Sequence, residues 1–177
     1  MPKFDYDDYG TAFIARDLHK LRELITQQCD DVFRDENITA PSPAVSTLLY
    51  LADVKSCSIA RLADDLDYSH QLVNQRLLQL SEMGFVERRA DPRDRRRCLI
   101  RLTRKGKSEV QKMQEVLPKV SAVFDDIFSG MGVDLQSILR EATRLLDAKP
   151  IQEQLNNRRV HTKKSSVAAL NVNRGAT

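Results

Sequence analysis

Between Ser58 and Gly84 two amphipathic segments are separated by only Asp67 and Tyr68, and few folds accommodate so tight a break. In the first, Ile59, Leu62, Ala63 and Leu66 follow the i, i+3, i+4, i+7 rule of one helical face, with Ser58 placed to cap it. In the second, "SHQLVNQRLLQLSEM", Ser69 is placed as the cap, Val73, Leu77 and Leu80 point inward, and Gly84 stands where a helix of L-residues ends. Two helices joined by so short a turn predict a helix-turn-helix. The outward residues near the start of the second helix are Ser69, His70, Gln71, Asn74 and Gln75. All can hydrogen-bond, none repels phosphate, and Asn and Gln have the shape to pair with adenine edges in a major groove. The same residues would also serve as a merely solvated helix face.

The next stretch changes periodicity. "FVERR" and "CLIRL" alternate apolar and polar, and "ADPRDRRR" between them carries the Asp-Pro and charge of a turn. A β-hairpin with an arginine-rich tip is therefore predicted beside the helix-turn-helix, with Cys98 facing inward alongside Ile100. Arginine suits phosphate oxygens and a narrow, electronegative groove, because its planar fork stays charged and donates several bonds. Asp91 and Asp94 fit such a tip if they hold some of Arg93, Arg95, Arg96 and Arg97 in place. From Gly84 to Lys107 there are ten basic residues against three acidic, a local balance of +7 within a chain whose net charge is +3. From Met1 to Glu36 five basic residues face nine acidic ones, and from Pro150 onward five face one. Charge so segregated points one face at a polyanion, although a solvated basic surface produces the same count.

Further helices flank this region. Ile14, Leu18, Leu21, Ile25 and Val32 mark a long one, and Val45, Leu48, Leu49 and Ala52 a shorter one behind "PSP". After Thr103, a further cap, Val110, Met113, Leu117, Val120, Phe124 and Ile127 mark another; Pro118 falls inside it and predicts a kink. Leu135, Ile138, Leu139, Ala142, Leu145 and Leu146 mark the last. These stripes exceed what a small lobe covers, so burial between two chains or within a larger bundle is expected. The polar, basic stretch from residue 149 to 177 reads as a mobile tail.

The run Asp91, Arg93, Asp94, Arg96, then Leu102-Thr103 and Gly106, resembles the wing signature of the MarR family of bacterial transcriptional regulators. The resemblance runs from Ser42 to Lys107. It implies a mainly α fold with a small β-hairpin wing: a winged helix-turn-helix at 42–102, an N-terminal dimerisation helix within 1–36, and C-terminal dimerisation helices within 103–148. By that likeness the chain is a homodimeric, sequence-specific repressor on double-stranded DNA. Helix 69–83 then lies in the major groove of a pseudo-palindromic operator and wing 90–97 at the minor groove. DNA contacts are expected from Ser69, His70, Gln71, Asn74, Gln75, Arg93, Arg95 and Arg96. The family also implies release by a small aromatic effector, for which Phe13 and Tyr50 are candidate lining residues. Two positions depart from the family's commonest pattern. Leu72 stands for a small polar residue, and Arg76 stands for an apolar one and is expected to pair with Asp64 or Asp65. An architectural or protein-docking winged helix, without base reading, is the rival.

Other classes have little support. His19, His70 and His161 lie far apart, and no HExxH, GxxxxGK or GxGxxG is present, so neither an enzyme, a metal site nor a cofactor is expected. Cys29, Cys57 and Cys98 form no CxxC pair and suit a reducing, cytoplasmic setting with structural thiols. The acidic opening "MPKFDYDDYG" is not a signal peptide, and no apolar run approaches a membrane span.

Overall fold

The computed structural model describes residues 7–90 and 98–157, so the wing tip and the last twenty residues lie outside the described residues. The order is α1 (Ile14–Asp35), α2 (Val45–Val54), α3 (Ile59–Asp65), α4 (His70–Glu82), β1 (Val86–Ala90), β2 (Cys98–Leu102), α5 (Arg104–Gly130) and α6 (Leu135–Ala148). Short 3-10 turns, Asp7–Phe13 and Ser42–Ala44, precede α1 and α2. The chain divides into two units at Val123, within α5.

The first unit holds the core. Leu48 and Leu51 of α2, Leu62 of α3, Val73, Leu77 and Leu80 of α4, Phe85, Ile100 of β2 and Met113 of α5 are all essentially inaccessible to water. The predicted caps form: Ser58 Oγ accepts from the Arg61 amide and Ser69 Oγ from the Leu72 amide, both at 3.2 Å. Gly84 ends α4 with φ +76°; its amide reaches the Ser81 carbonyl at 2.9 Å, and the Phe85 amide reaches the Leu80 carbonyl at 2.8 Å. Asn37 and Asp67 end α1 and α3 in the same left-handed way, each followed by a buried or half-buried apolar or aromatic residue, Ile38 and Tyr68.

The hairpin is antiparallel, with Val86 opposite Leu102 and Arg88 opposite Ile100. A third, one-residue strand joins it. Cys57 exchanges both backbone bonds with Ile100, at 3.2 and 2.8 Å, and so ties the hairpin to the start of α3. The base of the hairpin is also fastened to α5. Thr103 donates from its amide to the Phe85 carbonyl at 2.9 Å and from Oγ1 to the Gly84 carbonyl at 2.6 Å, while Oγ1 accepts from the Gly106 amide at 3.0 Å. Gly106 is the residue that permits this closeness, since a Cβ there would lie 2.1 Å from the Phe85 carbonyl oxygen.

A second fastening is ionic. Glu109 of α5 is only 4 % exposed, and its carboxylate accepts from the Thr39 amide at 2.6 Å, the Ala40 amide at 3.2 Å and Lys112 Nζ at 2.9 Å. Lys112 also donates to the Asn37 carbonyl. Burial pushes the Glu109 carboxyl up, but the bonds from Lys112 and the two amides outweigh it and hold the group below its ordinary value.

Pro118 lies inside α5, which continues through it; Pro118 and Gln114, whose carbonyl it leaves without a helical donor, are both exposed to water. One expectation needs correction: residue 149 is not the start of an irregular tail, because 151–157 are helical. Pro150 opens this helix rather than closing the previous one: its carbonyl accepts from the Gln154 amide at 3.2 Å, and proline's missing N–H is unneeded in a first turn. Residues 158–177 lie outside the described residues.

Alanine in a helix normally gains about 1 kcal/mol over glycine. Gly106→Ala should instead lose about 2 kcal/mol in denaturant unfolding, because its new methyl meets fixed backbone. Glu109→Gln should lose about 2 kcal/mol at neutral pH. The folded state holds this carboxyl below its ordinary value of 4.5, so its contribution is complete above that value and fades as pH falls through the folded one. Unfolding curves of wild type and variant should therefore converge in acid.

Candidate nucleic-acid interface

α4 owes its placement to its own sequence. The cap at Ser69 fixes where the helix begins, the Val73, Leu77 and Leu80 stripe fixes which side faces in, and Gly84 fixes its end. Ser69, His70, Gln71, Asn74 and Gln75 are all exposed, the first two at the start of the helix and the other three on the side away from the core. Asn74 is already half-committed: its Nδ2 donates to the His70 carbonyl at 2.9 Å, which leaves the amide oxygen outward as an acceptor. Gln71 and Gln75 keep both functions of their amides for a partner. No acidic residue lies in the first turn, so the positive end of the helix is not neutralised from within.

Leu78 belongs to the same face and was overlooked in the sequence. It is 60 % exposed, and the signal was available, since it falls three residues after Gln75 and seven after Gln71. Leu72 is half-buried, in keeping with a residue on the flank of the core.

Arg76 does not pair with Asp64 or Asp65. Its guanidinium carbon lies 4.4 Å from the centre of the Tyr68 ring, and the Tyr68 hydroxyl is hydrogen-bonded to Ser46 Oγ at 2.9 Å. Burial alone would raise the Tyr68 phenol, but the hydrogen bond with Ser46 and the Arg76 guanidinium beside the ring outweigh it and hold it below its ordinary value. The chain Ser46–Tyr68–Arg76 thus braces α4 against α2 across the turn. Asp65 is taken instead by the Tyr50 hydroxyl and by Arg61 Nε, the latter at 3.2 Å, and both lower its pKa. A helical neighbour four residues away outcompetes one on another helix.

The base of the hairpin is a charge clamp. Glu87 stands opposite Arg101 in the ladder and accepts from its Nε at 2.7 Å, while Arg89 reaches the other carboxylate oxygen at 3.2 Å. Arg101 first and Arg89 second hold the Glu87 carboxyl below the usual range. Arg88 is exposed on the other face of the ladder, the face that buries Val86 and Leu102. Arg93, Arg95 and Arg96 lie outside the described residues, as do Asp91 and Asp94. Cys98 is exposed rather than inward: alternation does put it on the side of Ile100, but it pairs with Ala90 at the outer end of the ladder, past the core. Burial pushes the thiols of Cys29 and Cys57 up, which disfavours their thiolates.

Of the candidates for effector lining, Tyr50 is engaged by Asp65, and Phe13 packs edge-on to Tyr9 at 5.5 Å. An open hollow of about 380 Å³ lies between the end of α1 and the end of α4, lined by Asp30, Phe33, Arg34, Ile38, Gln79 and Met83 among others. Among the described residues no group of His, Cys, Asp or Glu could hold a metal ion, and no helix is long and apolar enough to cross a membrane.

Residues 37–97 match the family model described as MarR family. No curated protein matches the chain. Among solved structures, the PcaV transcriptional regulator of Streptomyces coelicolor, in complex with its natural ligand, is 19% identical with a TM-score of 0.58, over 84% of this chain and 98% of that one. A cysteine-to-serine variant of MarR from E. coli, complexed with operator DNA, is 18% identical with a TM-score of 0.52, over 76% of this chain and 96% of that one. NadR in complex with 4-hydroxyphenylacetate is 23% identical with a TM-score of 0.50, over 82% of this chain and 97% of that one. At such identities the likeness is one of fold.

Proposed function

The chain carries a MarR-family winged helix at residues 37–97, and on that premise we propose that it is a homodimeric, sequence-specific DNA-binding transcription regulator of the cytoplasm, acting as a repressor. One observation carries the reading: a capped helix presents Ser69, His70, Gln71, Asn74 and Gln75 to solvent, beside a hairpin rich in arginine. Amide side chains read base edges, whereas a protein-docking helix would present an apolar face. In this account α4 enters the major groove. Arg93, Arg95 and Arg96 reach phosphates and the minor groove, which supplies affinity that depends on salt.

Support for a dimer comes from apolar surface with nothing to cover it in one chain. Ile14, Leu18 and Leu24 of α1 are exposed in the first unit, and Ile138, Leu145 and Leu146 of α6 in the second. A second copy of the chain covers both, and its two-fold symmetry matches a pseudo-palindromic operator with half-sites about one helical turn apart. The complexes of PcaV with its natural ligand and of NadR with 4-hydroxyphenylacetate support an effector for this chain, a small aromatic molecule that favours a dimer with wrongly spaced recognition helices. Only a difference in affinity between the two forms lets an effector do so.

The test is binding to duplexes selected from a random pool and to random duplexes, across a salt series. Wild type should prefer selected DNA by about 10³-fold or more. Arg93→Ala/Arg96→Ala should flatten the salt dependence by roughly 2 to 4 units of log–log slope per dimer. Equal binding to all duplexes would replace the regulator with an architectural protein, and no binding at low salt would point to protein docking. Glu87→Gln releases Arg89 and Arg101 from their clamp. It should raise affinity for random duplexes severalfold at low salt and steepen the salt dependence, read in the same titration.

A further inference from the structure

Gln71, Asn74, Gln75 and Leu78 stand at i, i+3, i+4 and i+7, a single stripe on the side of α4 opposite Val73, Leu77 and Leu80. Leu78 is 60 % exposed, so its side chain contributes little to the core, and a lysine, glutamine or glutamate would serve the helix about as well there. An isolated exposed leucine is ordinary on a protein surface. This one continues, at its C-terminal end, the face whose other members are hydrogen-bonding side chains. Asn74 has its donor tied to the His70 carbonyl and Gln71 and Gln75 have full amides, so the polar chemistry of base edges is already covered by its neighbours. Base edges in a major groove offer one apolar feature, the C5 methyl of thymine.

We propose that Leu78 is a specificity-determining residue that packs on the methyl group of a thymine in each half-site; this rests on the DNA-reading function above. Leu78 lies three residues beyond Gln75, a rise of about 4.5 Å along the helix. Base pairs are spaced about 3.4 Å apart. The thymine is therefore one or two base pairs from the one read by Gln75, on the side of the C-terminal end of α4.

The experiment takes the duplex recovered by selection from a random pool and replaces its thymines one at a time with deoxyuridine. That change removes only the methyl and keeps every hydrogen-bonding group. Wild type should lose about fourfold in affinity at one thymine per half-site, the weight of one buried methyl. Leu78→Ala, which keeps a strong helix former at an exposed position, should bind the thymine duplex with the affinity wild type shows for the uracil one. It should also be indifferent to that replacement. Two results would overturn the proposal while leaving DNA reading intact: no single replacement affects wild type, or Leu78→Ala shows the same sensitivity. If wild type enriches no sequence from the pool, the reading beneath it fails and the proposal falls with it.

Discussion

The carbonyl of Phe85 is where the winged lobe closes. The Thr103 amide donates to it at 2.9 Å, and the backbone of Gly106 lies so close that a methyl would stand 2.1 Å from its oxygen. Immediately before it, the left-handed turn at Gly84 ends α4, and immediately after it β1 begins. α4, the hairpin and α5 therefore meet at one peptide group, and none can shift without moving the others. Such a tie suits the proposed reading, since a helix must present its outward side chains in one register if base edges are to be read. One turn further along α5, Glu109 repeats the device: its buried carboxylate gathers the amides of Thr39 and Ala40 and the ammonium of Lys112. Its geometry satisfies the charge from several sides, so the low-dielectric setting strengthens the tie.

Much of this was legible because the signals are local. Ser69, Gly84 and the stripe of Val73, Leu77 and Leu80 specify a helix within sixteen residues, and the structure places the cap, the inward face and the end as read. The exposed positions of Ser69 to Gln71, Asn74 and Gln75 followed from the same stripe. What was not legible depends on distant residues. The Cys57–Ile100 bridge is a strand one residue long, with no alternation to detect. Glu109 looks like any surface glutamate until residues 39 and 40, seventy positions away, close over it. Cys98 was misplaced because alternation gives the side of a strand and not how far the core extends beneath it. Arg76 found a ring instead of a carboxylate, since Asp65 was already held by Tyr50 and Arg61. The helix that Pro150 opens has no sustained apolar stripe to announce it.

The charge pattern gains meaning from this scaffold. Arginines at the base of the hairpin are not all free: Glu87 engages Arg89 and Arg101, and Arg88 projects from the opposite side of the ladder. In the proposed function, affinity from phosphates and selectivity from bases come from different parts of one lobe, the wing for the first and α4 for the second. The apolar faces of α1 and of α6 answer to another need, the covering of surface that one chain leaves bare.

Photo-cross-linking from two positions tests this division of labour most directly. A photoreactive side chain placed at exposed Gln75 and, in a second variant, at exposed Leu145 is irradiated with a selected duplex present. The account predicts a protein–DNA adduct from position 75 and a covalent pair of chains from position 145. Cross-links from position 75 to protein alone, with no DNA adduct, would contradict it.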